Sequence, residues 1–286
     1  MGKIYKTLIC GGRISLTVLE TTDIVNAAVN YHKLSPVCAA ALGRTLTATA
    51  FMCSNLKGEN EKLSITINGG GLGGQIVTAG DGRMRVRGSI QNPRVNIPPK
   101  PNGKLNVSAV VGNNGYITVV KNLGLKEPYV GRCKLVSGEI AEDITAYYAY
   151  SEQQPTATAL GVLIGTDGNC SGAGGVVVQP LPDATDEDLT YAENLIANFG
   201  DISKKISELG GEGLCKKYFG DCAFTEFSVK YECTCSREYI DKVLLAMGEK
   251  ELRSALKEQG KIEVTCEFCD KKYVYDENAV NELLKR

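Results

Sequence analysis

Four cysteines near the C-terminal end of the sequence are spaced to act on a single atom. Cys233 and Cys235 stand in Cys-Thr-Cys, and Cys266 and Cys269 in Cys-Glu-Phe-Cys, with residues 236–265 between the pairs. Each close pair can supply two ligands from one tight turn, and the insertion can fold as a module that brings the pairs together. Four thiolates around one point favour Zn²⁺, which has no geometric preference of its own and binds sulfur at about 2.3 Å. Four unrelated buried thiols would not show this spacing. The one-residue gap is shorter than the gap of about two to four residues usual in structural zinc sites. It also holds two sulfurs close enough for a disulfide, though a strained one. The four residues read as a zinc site that can also respond to oxidants.

Other chemistry is sparse. A Ser-His-Asp or Cys-His catalyst would have to use His32, the one histidine. It has no nucleophile elbow or local partner, and reads as a surface or packed side chain. No pair of carboxylates stands in an apolar setting suited to acid–base work, so the chain is not expected to be an enzyme. Gly69, Gly71 and Gly74 match G-x-G-x-x-G by letter. A dinucleotide site needs a helix to open there, whereas Gln75 to Ala79 reads as a strand, so the run is a bend between strands. The chain has 11 cysteines, and Cys10, Cys38, Cys53, Cys133 and Cys170 read as small packed hydrophobes. Cys215 and Cys222 lie in a more polar stretch close to the cluster and take no role from the spacing.

Composition narrows the class. Charged residues make up 23% and hydrophobic residues 43% of the 286 positions, the balance of a soluble globular protein. A net charge of −1 lacks the basic excess of a nucleic-acid binder. No stretch reaches the roughly 18 uncharged apolar residues of a membrane helix, and Met-Gly-Lys-Ile-Tyr-Lys opens no signal-peptide core. The expectation is a cytoplasmic protein with no membrane and no nucleic-acid partner.

Three regions must position the cysteines. Residues 1–178 carry a core of their own. Its helices are expected at 23–33, 37–56 and 139–153. Its strands are expected at 3–20, around 63–67, at 75–79 and 83–90, at 105–111 and 116–120, and at 156–164 and 174–178. Residues 179–231 read as a helical linker, polar except for a stripe of Leu189, Leu195, Ile196 and Phe199, and such a helix needs a surface to lie on. Gly210, Gly211 and Gly213 are expected to break it. Residues 232–286 form the cysteine module, with helices at 236–247 and 250–259 and short strands at 261–265 and 272–275. A core that small often needs a metal to hold together. The expected fold is an α/β (α+β) N-terminal core domain, a helical linker and a small C-terminal zinc-binding domain.

The cysteine pattern resembles the signature of the heat-shock protein 33 family of redox-regulated holdase chaperones. Ala41-Leu42-Gly43-Arg44-Thr45, Gly70 to Gly74 with Arg87-Gly88, and Gly138-Glu139-Ile140-Ala141-Glu142-Asp143 followed by Ser151-Glu152-Gln153 and Pro155 are similar to that family's core motifs. The resemblance spans nearly the whole chain. It implies that Cys233, Cys235, Cys266 and Cys269 hold one Zn²⁺ in an inactive reduced form. Peroxide or hypochlorite would then form disulfides, release the zinc and unfold the module and linker. The activated protein would bind unfolding clients without ATP and form a homodimer. Four cysteines allow three connectivities. The shorter loops favour Cys233–Cys235 and Cys266–Cys269. The stripe Leu189, Leu195, Ile196 and Phe199 is the expected client-binding patch. Two competing readings are a zinc module serving nucleic acid, which the module's balanced charge opposes, and a thiol–disulfide oxidoreductase. The second would place Cys266-Glu-Phe-Cys269 at a helix start, not between short strands.

Overall fold

The computed structural model describes residues 1–220 and 222–285. It divides into two compact units, Met1–Glu232 and Cys233–Arg286.

The first unit is built on one ten-stranded sheet. Its strands are β1 (Gly2–Ile9), β2 (Ile14–Glu20), β3 (Lys62–Asn68), β4 (Ile76–Asp81), β5 (Arg85–Ile90), β6 (Tyr116–Asn122), β7 (Tyr129–Lys134), β8 (Ala157–Ile164), β9 (Cys170–Pro180) and β10 (Thr225–Tyr231). Their order is β7-β6-β3-β4-β5-β10-β1-β2-β9-β8. Two antiparallel halves meet at β10, which pairs fully with β1 but parallel to β5 only through Lys230–Arg85 and Tyr231–Val86. The helices are α1 (Thr22–His32), α2 (Pro36–Cys53), α3 (Val107–Val111), α4 (Ala141–Tyr147), α5 (Asp186–Ala197) and α6 (Ile202–Phe219).

Helix α2 starts where the sequence places it. Ser35 accepts a hydrogen bond from the Cys38 amide and Pro36 occupies the first turn, where its missing N–H costs nothing. Nearly every side chain that follows is buried. Thr45, Thr47 and Thr49 donate back to the carbonyls of Ala41, Gly43 and Thr45, so their hydroxyls are satisfied inside the core. By length and composition α2 could cross a membrane, yet 89% of it is buried within this fold. It is a core helix.

Period-two alternation divides the half-sheet β1-β2-β9-β8 between two cores. Ile4, Leu19 and Val177 face the core that contains α1 and α2. Tyr5, Leu16, Val18, Val176 and Val178 face the other way, onto Phe199, Ile202, Ile206 and Leu214. That second layer is made by α5 and α6, from the segment read as a linker.

Two elements differ from the sequence reading. Residues 105–111, expected as a strand, form α3 from Val107 onward. Val107, Val110 and Val111 are buried at helical spacing, and an apolar run this short fits either period. The glycine bend decides it. The amides of Gly71, Leu72 and Gly73 donate to the carbonyls of Val111, Ala109 and Val110, and a Cβ on Gly71 would stand 2.4 Å from that backbone. Gly210, expected with Gly211 and Gly213 to break the linker helix, does interrupt it: at φ 65 and ψ 176 it leaves the helical region, and a second helical stretch within α6 runs on to Phe219. The Gly211 amide there donates to Glu20 Oε2 at 2.8 Å. Strand β10 was not anticipated. His32 is a packed residue, its Nε2 2.9 Å from the Gly88 carbonyl.

The second unit has α7 (Arg237–Met247), α8 (Glu249–Gln259), an antiparallel pair β11 (Ile262–Thr265) and β12 (Lys272–Tyr275), and α9 (Glu277–Leu283). Its buried core is Ile240, Leu244, Leu252, Ile262, Tyr273, Tyr275, Val280 and Leu283.

Candidate metal centre

The two cysteine pairs reach one point from opposite ends of the module's sequence. Cys233 and Cys235 lie in the extended stretch that enters α7, whose N-cap Ser236 accepts from the Tyr239 amide at 3.2 Å. Cys266 and Cys269 lie in the tight turn from β11 to β12. There the Cys266 amide donates to the Lys271 carbonyl and the Asp270 amide to the Cys266 carbonyl, both at 2.9 Å. Asp270 takes the left-handed conformation, φ 56, that closes the turn. Tyr275 Oη donates to Asp241 Oδ1 at 2.8 Å, which ties β12 to α7 and so one ligand pair to the other.

All four sulfurs lie within 4.8 Å of one another. Cys233 Sγ is 3.6 Å from Cys266 Sγ, and Cys235 Sγ is 3.5 Å from Cys269 Sγ. A tetrahedron with metal–sulfur bonds of about 2.3 Å has sulfur–sulfur edges of about 3.8 Å. The arrangement can therefore hold a metal ion, and the all-sulfur donor set fits zinc.

Electrostatics point the same way. Burial pushes the Cys235 thiol up, but the hydrogen bond from Tyr273 Oη at 3.1 Å and those with the neighbouring sulfurs outweigh it and bring it down to about 7. Burial pushes Cys233 up, and Cys269 up to about 11. The site favours the thiolate at Cys235, while Cys233 and Cys269 are held towards the neutral thiol unless a cation stands beside them. A divalent ion supplies that charge.

The linker stripe is partly as the sequence suggested. Phe199 is fully buried and Leu195 and Ile196 are half-buried on the sheet side, while Leu189 is 37% exposed at the margin. Ala192, not singled out in the sequence, is the buried member of the same face. Sequence reasoning also missed what holds these helices down. Arg13 pairs with Asp188, and Gly161, Gly172 and Gly174 let α6 approach the sheet; in the other unit sequence reasoning missed Tyr273, whose Oη donates to Cys235. A Cβ on Gly172 would stand 2.3 Å from the Ser203 carbonyl oxygen. Alternating burial cannot reveal such pairings, because each joins residues far apart in sequence.

The model of the family described as Hsp33 protein matches residues 2–276. A protein named 33 kDa chaperonin from Alkaliphilus oremlandii is 42% identical over 275 residues, covering 95% of this chain and 92% of that protein. Its namesake from Clostridioides difficile is 41% identical over 283 residues, covering 96% and 95%. The crystal structure of a 33 kDa chaperonin, a heat shock protein 33 homologue from Thermotoga maritima, superimposes with a TM-score of 0.89 at 36% identity, covering 99% of this chain and 97% of that one.

Proposed function

The chain belongs to the Hsp33 family, and on that premise we propose that it is a redox-regulated, ATP-independent holdase chaperone. It is inactive while reduced and zinc-bound, and oxidation of the four module cysteines, with zinc release, activates it. The observation that carries this reading is the four-sulfur cluster, all within 4.8 Å, in a module with a core of only eight buried side chains.

The zinc ion supplies charge balance and a cross-link between the two ligand pairs. In small zinc peptides such binding is worth about 10–16 kcal/mol, most of what holds a core this size together. Each disulfide consumes one peroxide. One thiolate sulfur attacks an oxygen and the O–O bond breaks to leave a sulfenic acid and hydroxide; the partner thiolate displaces the sulfenic hydroxyl as a second hydroxide, and two solvent protons turn both into water. Two such steps use up all four thiolates, and the module is left without donors or cross-link. It then unfolds.

The unfolded module follows directly on β10, which ends at Tyr231 and grips β5 through only two residue pairs. The load falls on the junction of the two half-sheets and on the linker before it. Release of α5 and α6 uncovers Phe199 and the half-buried Leu195 and Ile196, and with them the sheet face of Leu16, Val18, Val176 and Val178. Apolar surface of this kind holds apolar segments of unfolding clients. Leu189, Leu195, Ile196 and Phe199 are the proposed client-binding residues of the linker. The activated form dimerises through the same uncovered surface, and the protein acts in the cytoplasm without nucleic acid or membrane.

Light scattering of a heat-unfolding client provides the test. Oxidised protein should suppress aggregation and reduced, zinc-loaded protein should not. Equal suppression by both would refute the redox control and leave a constitutive chaperone. A thiol–disulfide oxidoreductase would instead turn over a disulfide substrate in the reduced form.

A further inference from the structure

Two cysteines outside the metal centre share a setting of their own. Helix α6 ends at Phe219, whose carbonyl accepts a hydrogen bond from the Cys222 amide at 2.8 Å. Cys222 is on the wall of a cavity of about 300 Å³ that Cys215 of α6 also lines. Cys215 is buried in the apolar layer between α6 and the sheet, and Cys222 is half-buried at its margin. The two sulfurs are within electrostatic reach, since charge on Cys222 opposes charge on Cys215. Phe224 packs edge-on against both Phe219 and Tyr5, so the turn that carries Cys222 is held against α6 and β1.

We propose that Cys215 and Cys222 form a second peroxide-sensitive pair, which closes to a disulfide across the end of α6 separately from the metal centre. Cys222 is the sulfur a peroxide reaches first, because it is the more exposed. Its sulfur gives up its proton and attacks one peroxide oxygen, the O–O bond breaks, and the departing hydroxide takes up that proton, so that a sulfenic acid and one water result. The Cys215 sulfur then displaces the sulfenic hydroxyl, which leaves as water with the Cys215 proton. The pair loses two electrons and two protons, and the peroxide is reduced to two waters. Burial, the first cause, with the nearby Glu212 carboxylate, pushes the Cys215 thiol up to about 12. Cys215, the more buried of the two, is the resolving thiol. Once formed, the disulfide fixes the last turn of α6 to the loop that feeds β10.

The test uses full-length, reduced, zinc-loaded protein treated with hydrogen peroxide, alkylated and digested with trypsin. Cleavage after Lys216 and Lys217 separates the two cysteines, so the disulfide appears as peptide 206–216 linked to peptide 218–230. The expected result is that linked pair, absent in Cys222→Ser, with the zinc content of the reduced variant unchanged. Recovery of Cys215 and Cys222 as alkylated free thiols after the four module cysteines have oxidised overturns the proposal. So does Cys222 found only as sulfinic or sulfonic acid, or linked to a module cysteine. The same digest reports the module's own disulfides, so failure here is distinguishable from failure of the zinc switch.

Discussion

Arg13 and Asp188 form a two-point ion pair, Nε to Oδ2 at 2.6 Å and Nη2 to Oδ1 at 3.0 Å, that ties the first turn of α5 to the turn between β1 and β2. Asp188 also closes a capping box with Thr185. The Arg13 hydrogen bonds and the Thr185 amide hold its carboxyl well below the usual carboxylate range. A depressed folded value means that the contribution is complete above the unfolded pKa of about 3.9 and is lost as pH falls towards the folded one. Linker docking should therefore be insensitive to pH near neutrality and weaken below about pH 4. Asp188→Asn should speed amide exchange across residues 186–197 at neutral pH, and Thr185→Ala should cost about 1 kcal/mol of helix stability through the lost cap. Unchanged exchange in both variants would show that the tether does not hold α5.

The contact between α6 and the sheet depends on missing side chains. A Cβ on Gly172 would meet the Ser203 carbonyl oxygen at 2.3 Å and Ser207 Cβ at 2.8 Å, and one on Gly161 would meet Ile202 and Ser203 below 3 Å. Backbone at that distance cannot give way as a flexible side chain can. Gly172→Ala should lift α6 at a cost of about 1–3 kcal/mol, the usual penalty for overpacking. If the linker is the gate, the reduced variant should suppress client aggregation where the reduced wild type does not. Looser α6 by amide exchange, with no gain in reduced activity, would separate docking from control.

What the sequence disclosed follows from the range of each signal. Ser35-Pro36 and the apolar run after it specify α2 locally, and Ser236 does the same for α7. The gathering of Cys233, Cys235, Cys266 and Cys269 was legible because tight turns keep each close pair together within a few residues. Residues 105–111 were misread because Val107, Val110 and Val111 suit both periods, and the deciding hydrogen bonds come from Gly71 to Gly73. Strand β10 has Phe227, Val229 and Tyr231 in alternation, but its charged neighbours weaken the pattern and its place is fixed by β1. The Arg13–Asp188 pair joins residues 175 apart, beyond any local rule.

The metal centre predicts one zinc per chain in the reduced protein. Replacing Cys266 and Cys269 by serine removes two of the four sulfurs that stand within 4.8 Å of one another. Metal analysis of that double variant should show zinc strongly reduced. Chelation of the wild type should unfold residues 233–285 and leave the sheet intact. Full zinc retention in the double variant would refute the assignment.

Disulfide connectivity sets loop length against sulfur position. Neighbouring cysteines close much smaller loops, which favours Cys233–Cys235 and Cys266–Cys269. In the folded site the cross-pairs stand close, Cys233 with Cys266 at 3.6 Å and Cys235 with Cys269 at 3.5 Å. Once the first bond forms, the donor set is broken and the module loosens, so chain entropy rather than the folded geometry should govern the outcome. Peptide mapping after peroxide should find mainly the neighbour pairs. Mainly cross-pairs would mean that the module stays folded through the first oxidation.

The order of unfolding is the last expectation. The first unit should keep α2 enclosed by its own sheet, because the described residues of the core around α2 all belong to that unit. The module has eight buried apolar side chains among its described residues and the four-sulfur cluster. Helices α5 and α6 are intermediate. They are held by the Arg13–Asp188 pair, the Gly211–Glu20 hydrogen bond and a face that centres on Phe199, Ile202, Ile206 and Leu214. Local stability should rank in that order. After peroxide, amides in 233–285 should lose protection first and those in 186–219 next, while those in 36–53 and 157–180 keep theirs. Client suppression should rise with the second loss rather than the first, because only the second uncovers Phe199 and its sheet partners. If suppression rises while 186–219 stays protected, the holding surface lies elsewhere on the first unit, and the linker is not the gate.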